Sequence, residues 1–268
     1  MKYFCIGDVH SFYTETIDAL NKAGFDKNDD NHVLVLCGDA FDRGDESNEM
    51  LNFLQSLPDD RFVYVRGNHE DLLEDAILDV LRCSDLTGCF LDIGQHHFTN
   101  GTIKTLRQFT GMHLYDMILN KEEFSDKIRP ILNWINTKTI DFFETKHYVF
   151  THGWIPSKIS YRQYKEVYDS DWRNASDNKW KSARWFNGMA KWSYGIRVPR
   201  KSVVCGHWHS SWGNMYLHND INEEFPTNKL DEDKMTEAFK PFIDKGIIAI
   251  DGCVAYSGMV NVIILEEI

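Results

Sequence analysis

KYFCIGDVH at residues 2–10 and HVLVLCGDAFDRG at residues 32–44 decide the fold class. Each is an apolar run without alternation that stops at a Gly-Asp pair and passes into a polar turn. Strands covered on both faces read this way, as in a parallel sheet flanked by helices. Working outward, residues 2–7 lead into a helical stretch at 11–22, residues 32–37 into one at 46–57, and residues 61–65 into one at 69–82. The first eighty residues therefore predict a βαβαβα unit of an α/β protein.

Farther along, residues 101–109 and 125–137 predict helices, the second carrying Ile128, Ile131, Leu132 and Ile135 at helical spacing. Strand signals return at residues 140–143, 148–151 and 202–205, and residues 246–250 and 259–265 resemble a terminal β pair. Two polar, tryptophan-bearing stretches, about 154–200 and 212–245, keep aromatics and helical patches. Flexible linkers lack both, so these stretches read as cap-like insertions within one domain spanning residues 1–268.

Hydrophobic residues at 43% and charged residues at 26% fit an ordinary globular protein. A formal charge of -12 argues against stable nucleic-acid binding, which needs Lys and Arg to displace counterions. An acidic chain can still act on phosphates where metals and a few arginines reverse the field locally. No apolar run is long enough for a membrane span, and MKYFCIGDVH lacks the apolar core of a signal peptide, so a cytoplasmic location is expected. The six cysteines show no metal or redox spacing; the closest pair, Cys83 and Cys89, has five residues between them. Cys5, Cys37 and Cys205 lie in apolar runs and read as reduced core thiols.

Metal-type ligands fall just after the predicted strands. Asp8 and His10 follow the first, Asp39 and Asp42 the second, Asn68 and His69 the third; His152 ends the fifth run, and His207 and His209 follow the sixth. In open α/β sheets the loops at the carboxyl ends of the strands converge on one crevice, where ligands bind. Carboxylate, imidazole and amide oxygen suit manganese, iron or zinc, with no thiolate among them. A carboxylate such as Asp39 can bridge two ions about 4 Å apart, a pair suited to in-line displacement at phosphorus. Singly, each motif also reads as a turn or a capped helix start. Their joint order and strand placement argue against that.

GDVH at 7–10, GDAFDRG at 38–44, RGNHE at 66–70, THG at 151–153 and GHWH at 206–209 resemble the calcineurin-like metallophosphoesterases, above all the phosphoprotein phosphatase branch. That branch includes phage and bacterial serine/threonine phosphatases and the symmetrical diadenosine tetraphosphate hydrolases. The resemblance implies a four-layer αββα sandwich with helical or irregular cap insertions. It implies two metal ions, manganese first and iron or zinc otherwise. Asp8, His10, Asp39 and His209 would hold one ion, and Asp39, Asn68, His152 and His207 the other, with Asp39 bridging. His69 would be the general acid, Asp42 its orienting carboxylate, and Arg43 the grip on the substrate phosphate. A hydroxide between the metals would attack directly, with no phosphoenzyme. GHWH departs from the phosphatase branch by supplying two histidines where one is usual, a feature of the wider superfamily with its diesterases and nucleases.

Arg66, at the end of an apolar run, is expected in a structural salt bridge. A second phosphate-binding arginine is implied after THG, where Arg162, Arg173 and Arg184 are available. Arg173 and Arg184 stand among Trp172, Trp180, Trp185 and Asn187, a mixture suited to a cap over the metals or to a packed aromatic cluster. His32, His96, His97, His113, His147 and His218 match no motif. The expected function is hydrolysis of a phosphomonoester, with phosphoserine or phosphothreonine in proteins as substrate. A diadenosine tetraphosphate-type pyrophosphohydrolase and a phosphodiesterase are the rivals, and a non-catalytic scaffold would be expected to have lost ligands that are all in place here.

Overall fold

In the computed structural model, which describes residues 1–83, 93–217 and 232–267, the chain opens with β1 (Lys2–Ile6), α1 (Tyr13–Ala23), β2 (His32–Cys37), α2 (Ser47–Gln55), β3 (Phe62–Val65) and α3 (Asn68–Arg82). The three strands pair in parallel. Their lack of alternation has the expected cause. Phe4, Ile6, Leu34, Leu36, Phe62 and Tyr64 face a helical layer, while Cys5, Val33, Val35, Cys37 and Val65 face the other way into a second apolar layer. Both faces of each strand are thus covered.

The second layer belongs to another sheet. β6 (Tyr148–Phe150), β9 (Ser202–Cys205) and β11 (Ile247–Ala249) run parallel, flanked by β5 (Phe143–Glu144) and β10 (Phe242–Asp244), both antiparallel. Phe150, Val204 and Ile248 meet the first sheet, and Val149, Val203, Cys205, Ile247 and Ala249 face outward. Onto that outer face pack Trp154, Trp172, Trp180, Met189, Trp192 and Ile196 of the insertion, whose helices are Asp177–Ala183 and Gly188–Ser193. The order is helices, sheet, sheet, insertion: the four-layer sandwich. The insertion also carries a hairpin, β7 (Ser157–Ser160) with β8 (Lys165–Tyr168).

Two expectations are corrected. Residues 140–143 are not one strand: β4 (Thr139–Ile140) completes the first sheet beside β3, and the chain then crosses so that β5 lies in the second. Asp141 and Phe142, at the crossing, serve the insertion instead, through an ion pair with Arg184 and a ring stacked on Trp180 at 5.3 Å. Nor do the last two strand segments pair with each other. β11 is buried throughout and sits inside the second sheet, whereas β12 (Ile263–Glu266) has exposed positions and closes the edge of the first sheet antiparallel to β1. Uniform burial belongs to interior strands and mixed burial to edges.

The helices at Thr102–Thr110 and Lys121–Lys138 match expectation to within a few residues at each end. Among the described residues no helix is long and apolar enough to cross a membrane. Cys5, Cys37 and Cys205 are buried free thiols, Cys83 is buried and Cys253 is partly buried; Cys89 and His218 lie outside the described residues.

Candidate metal centre

The loops leaving β1, β2, β6 and β9 meet at one end of the sandwich, together with the start of α3. They are stitched to one another by backbone bonds: Asp8 N donates to Gly38 O at 3.2 Å, His10 N to Asp39 O at 3.0 Å, and Gly206 N to His152 O at 2.8 Å. Asp8, His10, Ser11, Asp39, Asp42, Arg43 and His207 all have positive φ, between 46° and 76°. For non-glycine residues this costs on the order of 1 kcal/mol or more each and persists only where the surroundings impose it. Strain gathered so densely marks a functional site.

Two glycines permit the closest approaches. A Cβ at Gly67 would lie 2.1 Å from Asp39 Oδ1, and one at Gly206 would lie 2.1 Å from Asp8 Oδ1. Only glycine leaves room for those carboxylates.

Asp39 is shared by two groups whose ligand atoms lie within 4.8 Å of one another: His10, Asp39 and His69, and Asp39, His152 and His207. Asn68 Oδ1 lies 2.7 Å from His152 Nε2, and Asp8 Oδ1 accepts the His207 backbone N–H at 2.8 Å. His10 Nδ1 donates to Phe41 O at 2.9 Å and His152 Nδ1 to Cys37 O at 2.8 Å. In His10 that bond fixes the tautomer and leaves Nε2 as the available lone pair. His10 Nε2 is fully buried with no hydrogen-bond partner. An orphaned imidazole nitrogen directed at carboxylates is what a metal ligand looks like.

Electrostatics agree. Burial, then Arg43 and His69, hold His10 well below the usual histidine range; burial, then His152, hold His207 down at about 3; burial, then Arg43, hold His209 at about 4. These are neutral imidazoles, able to ligate. Burial would also depress His152, but Asp39 and Asp8 outweigh it and lift the group to about 10. The two carboxylates draw positive charge into the cluster, and a divalent cation meets that demand better than a proton. The donor set therefore fits metal ions.

His69 Nδ1 lies 2.7 Å from Asp42 Oδ2, which also accepts from Thr102 Oγ1 at 2.8 Å, while Asp42 N donates to Thr105 Oγ1 at 3.1 Å. On its other side, His69 Nε2 faces Arg43 Nη2 at 3.3 Å and Asp39 Oδ2 at 4.0 Å. His209 Nδ1 is 2.8 Å from Ser211 Oγ.

The structure brings Asp8, His10, Asp39, Asp42, Arg43, Asn68, His69, His152 and His207 together. It places Arg173 and Arg184 otherwise, in the grip of carboxylates outside the cluster. Arg173 forms a two-pronged pair with Glu144 and lies over Trp172 at 4.3 Å. Arg184 is buried, with Nη1 on Asp71 at 2.5 Å and Nη2 on Asp141 at 2.5 Å. Trp172 and Trp180 are core; Trp185, half exposed, stands edge-on to His207 at 5.7 Å. Arg66 is held by Asp71 and Glu74. Neither metal-type group includes His32, His96, His97, His113 or His147.

Four contributors escape the sequence reading. Glu70, the last residue of RGNHE, is buried and accepts from the backbone N–H groups of Asp39, Ala40 and Gly67 and from Tyr64 OH. Asp251 is buried beside Asp8 and Asp39; burial pushes it up to about 6, with the Cys253 N–H and Arg43 opposing. It follows a strand directly, as the other acids do, and that signal was available. Thr102 and Thr105 had none.

Among characterised proteins, the symmetrical bis(5'-nucleosyl)-tetraphosphatase of Buchnera aphidicola subsp. Baizongia pistaciae is 43% identical over 70 residues, 26% of this chain and 24% of that one. Serine/threonine-protein phosphatase 1 of Salmonella typhimurium is 33% identical over 103 residues, 38% of this chain and 43% of that one. The chain thus spans about a quarter of the length of the first of these relatives. The crystal structure of a cold-active protein-tyrosine phosphatase from a psychrophilic Shewanella superposes with a TM-score of 0.50 at 16% identity, over 99% of this chain and 75% of that one, a likeness of fold. Paired mixed sheets, with acids and imidazoles gathered at their strand ends, form a candidate metal centre. The chain belongs to the calcineurin-like phosphoesterase family, whose sequence profile matches residues 1–231.

Proposed function

We propose that the chain hydrolyses phosphomonoesters, with phosphoserine or phosphothreonine in proteins as the substrate class. The observation that carries this reading is the His69–Asp42 pair at 2.7 Å, with His69 Nε2 turned toward Arg43. A general acid matters most when the leaving oxygen is a poor one, such as the alkoxide of serine or threonine.

Asp8, His10, Asp39 and His209 would hold one metal ion, and Asp39, Asn68, His152 and His207 the other, manganese first among the candidates. When bound, the ions supply Lewis acidity toward water and toward the phosphoryl oxygens. The chain's own residues do the rest. Arg43 places its planar fork on the phosphate, where two parallel hydrogen bonds fix orientation and offset charge. That movement takes Nη2 away from His69 Nε2 and frees it to carry a proton. Asp42, itself anchored by Thr102, orients the imidazole and stabilises its charged form. The proton on Nε2 passes to the departing oxygen.

A second reading, a dinucleoside tetraphosphate hydrolase, draws support from the exposed Trp185 beside His207, a flat surface on which a base could stack. The test is hydrolysis by manganese-loaded protein of a phosphoserine peptide, p-nitrophenyl phosphate, its bis ester and diadenosine tetraphosphate, with wild type and His69→Asn. The variant should lose about 10²-fold or more on the peptide and much less on p-nitrophenyl phosphate, whose leaving group needs little acid assistance. Equal turnover of the peptide by both proteins would remove His69 from its role. Diadenosine tetraphosphate as the better wild-type substrate would install the second reading.

A further inference from the structure

At the end of the second sheet opposite the metal cluster, the first residues of β6 and β9 and the turn before β11 border a concavity of about 500 Å³. Four of its lining residues are cations, Arg197, Arg200, Lys201 and Lys245, with His147 and Tyr148 beside them, and among the described residues no carboxylate lines it. The chain as a whole carries -12. Five consecutive residues, RVPRK at 197–201, supply three of the four charges, and Pro199 stiffens that turn.

The charges are only partly compensated. Lys201 Nζ pairs with Glu144 Oε1 at 2.9 Å, and His147 Nδ1 lies 3.7 Å from Glu267 Oε1. Arg197 lies over the Trp192 ring at 4.4 Å and spends Nε on Trp192 O, which fixes the guanidinium plane and leaves its outer nitrogens to the solvent side. Among the described residues no carboxylate forms an ion pair with Arg197, Arg200 or Lys245; the nearest acid in sequence, Asp244, takes the Lys245 backbone N–H. Three cations held around one hollow repel one another, and a polyanion relieves that repulsion.

We propose that this concavity binds a small anion carrying two or more phosphate groups, free or on a nucleoside, at a site separate from the metal cluster. Its volume is that of a small-molecule site. Arginine forks match phosphate oxygens in pairs. Nucleic acid is a poor occupant because a chain with a net charge of -12 repels a long phosphate chain.

The test is calorimetric titration of the metal-free full chain, in chelator, with inorganic tripolyphosphate and with ATP. Both should bind, with affinity lost at least tenfold in an Arg200→Glu, Lys245→Glu double variant. Binding should be unchanged in Arg43→Ala and in a charge-matched Lys22→Glu, Lys181→Glu control. The pocket variant should keep the wild-type melting temperature and manganese-dependent hydrolysis of p-nitrophenyl phosphate. Tighter binding of ATP would add a nucleoside contact to the site, and equal binding would assign it to phosphates alone. Absence of binding by either probe overturns the proposal. So does loss in Arg43→Ala with the pocket variant intact, an equal loss in the charge-matched control, or binding of an acidic peptide without either phosphate probe.

Discussion

At Glu70 one carboxylate satisfies three backbone N–H groups, on Asp39, Ala40 and Gly67, and the Tyr64 hydroxyl, at 2.7 to 3.1 Å. It thereby sets the backbone from which Asp39 reaches both ligand groups. Glu70→Ala strands four buried donors and should destabilise the fold by roughly 3 kcal/mol or more, measured by urea unfolding. Glu70→Gln keeps the shape but trades an oxygen for an amide donor; the fold should survive while manganese affinity falls about tenfold or more, read by calorimetry. Unchanged affinity in that variant would confine Glu70 to a structural part. The contrast with Asp39 explains what residue-level reading can reach. Metal-type ligands declare themselves by chemistry and by position after a strand, and so did Asp251, whose strand was read for its pairing and not for its end. Glu70 is defined by its partners, the most distant 31 residues back in the chain, and no local pattern encodes that. The same holds for Arg173 and Arg184. Their presence in the insertion is legible, but their carboxylate partners come from Glu144, Asp71 and Asp141, which only folding brings near.

Elements are legible where burial is two-sided and long. β1, β2 and β3 were readable because all but the first residues of β1 and β2 are apolar or aromatic, and the helices because their spacing repeats over two turns or more. Strands of two residues carry no period at all, which is why β4 and β5 merged into one expectation although they belong to different sheets. β5 gains its definition from outside. Glu144 binds Arg173 of the insertion on one side and Lys201, just before β9, on the other. The hydrogen bond from Arg173, with Lys201 reinforcing it against burial, holds Glu144 down at about 2 instead of its ordinary 4.5. A carboxylate depressed in the folded state contributes stability that is fully present above its unfolded pKa and lost as pH falls toward the folded one. Glu144→Gln should therefore be less stable than wild type at pH 6, by on the order of 1–2 kcal/mol after solvent screening. The gap should close between pH 4.5 and about 2, followed by urea unfolding at a series of pH values. A gap independent of pH would mean that the pair contributes through packing and not through charge.

For the whole molecule, the two sheets present a ring of buried acids at one end: Asp8, Asp39, Asp42, Glu70 and Asp251. Burial, then Asp251, push Asp8 well above the usual carboxylate range, and His152 is drawn toward its charged form. Such a cluster is at odds with itself until cations enter, yet the rest of the sandwich rests on three apolar layers that do not depend on it. Folding and metal binding should accordingly be separable. Metal-free protein should keep its secondary structure by circular dichroism, unlike small metal-nucleated domains. Manganese at 100 times its dissociation constant should then stabilise the native state by about 2.7 kcal/mol for each ion bound, a rise in melting temperature of roughly 5–10 °C per ion for a chain of this size. The place of Asp39 in both ligand groups gives the prediction a sharper form. His10→Ala removes a ligand from one ion and should leave one manganese per chain by elemental analysis, with part of the thermal gain. Asp39→Asn weakens both sites and should leave neither ion nor gain. If the two variants retained the same metal content, Asp39 would not bridge, and the two ligand groups would be separate sites that happen to share a loop.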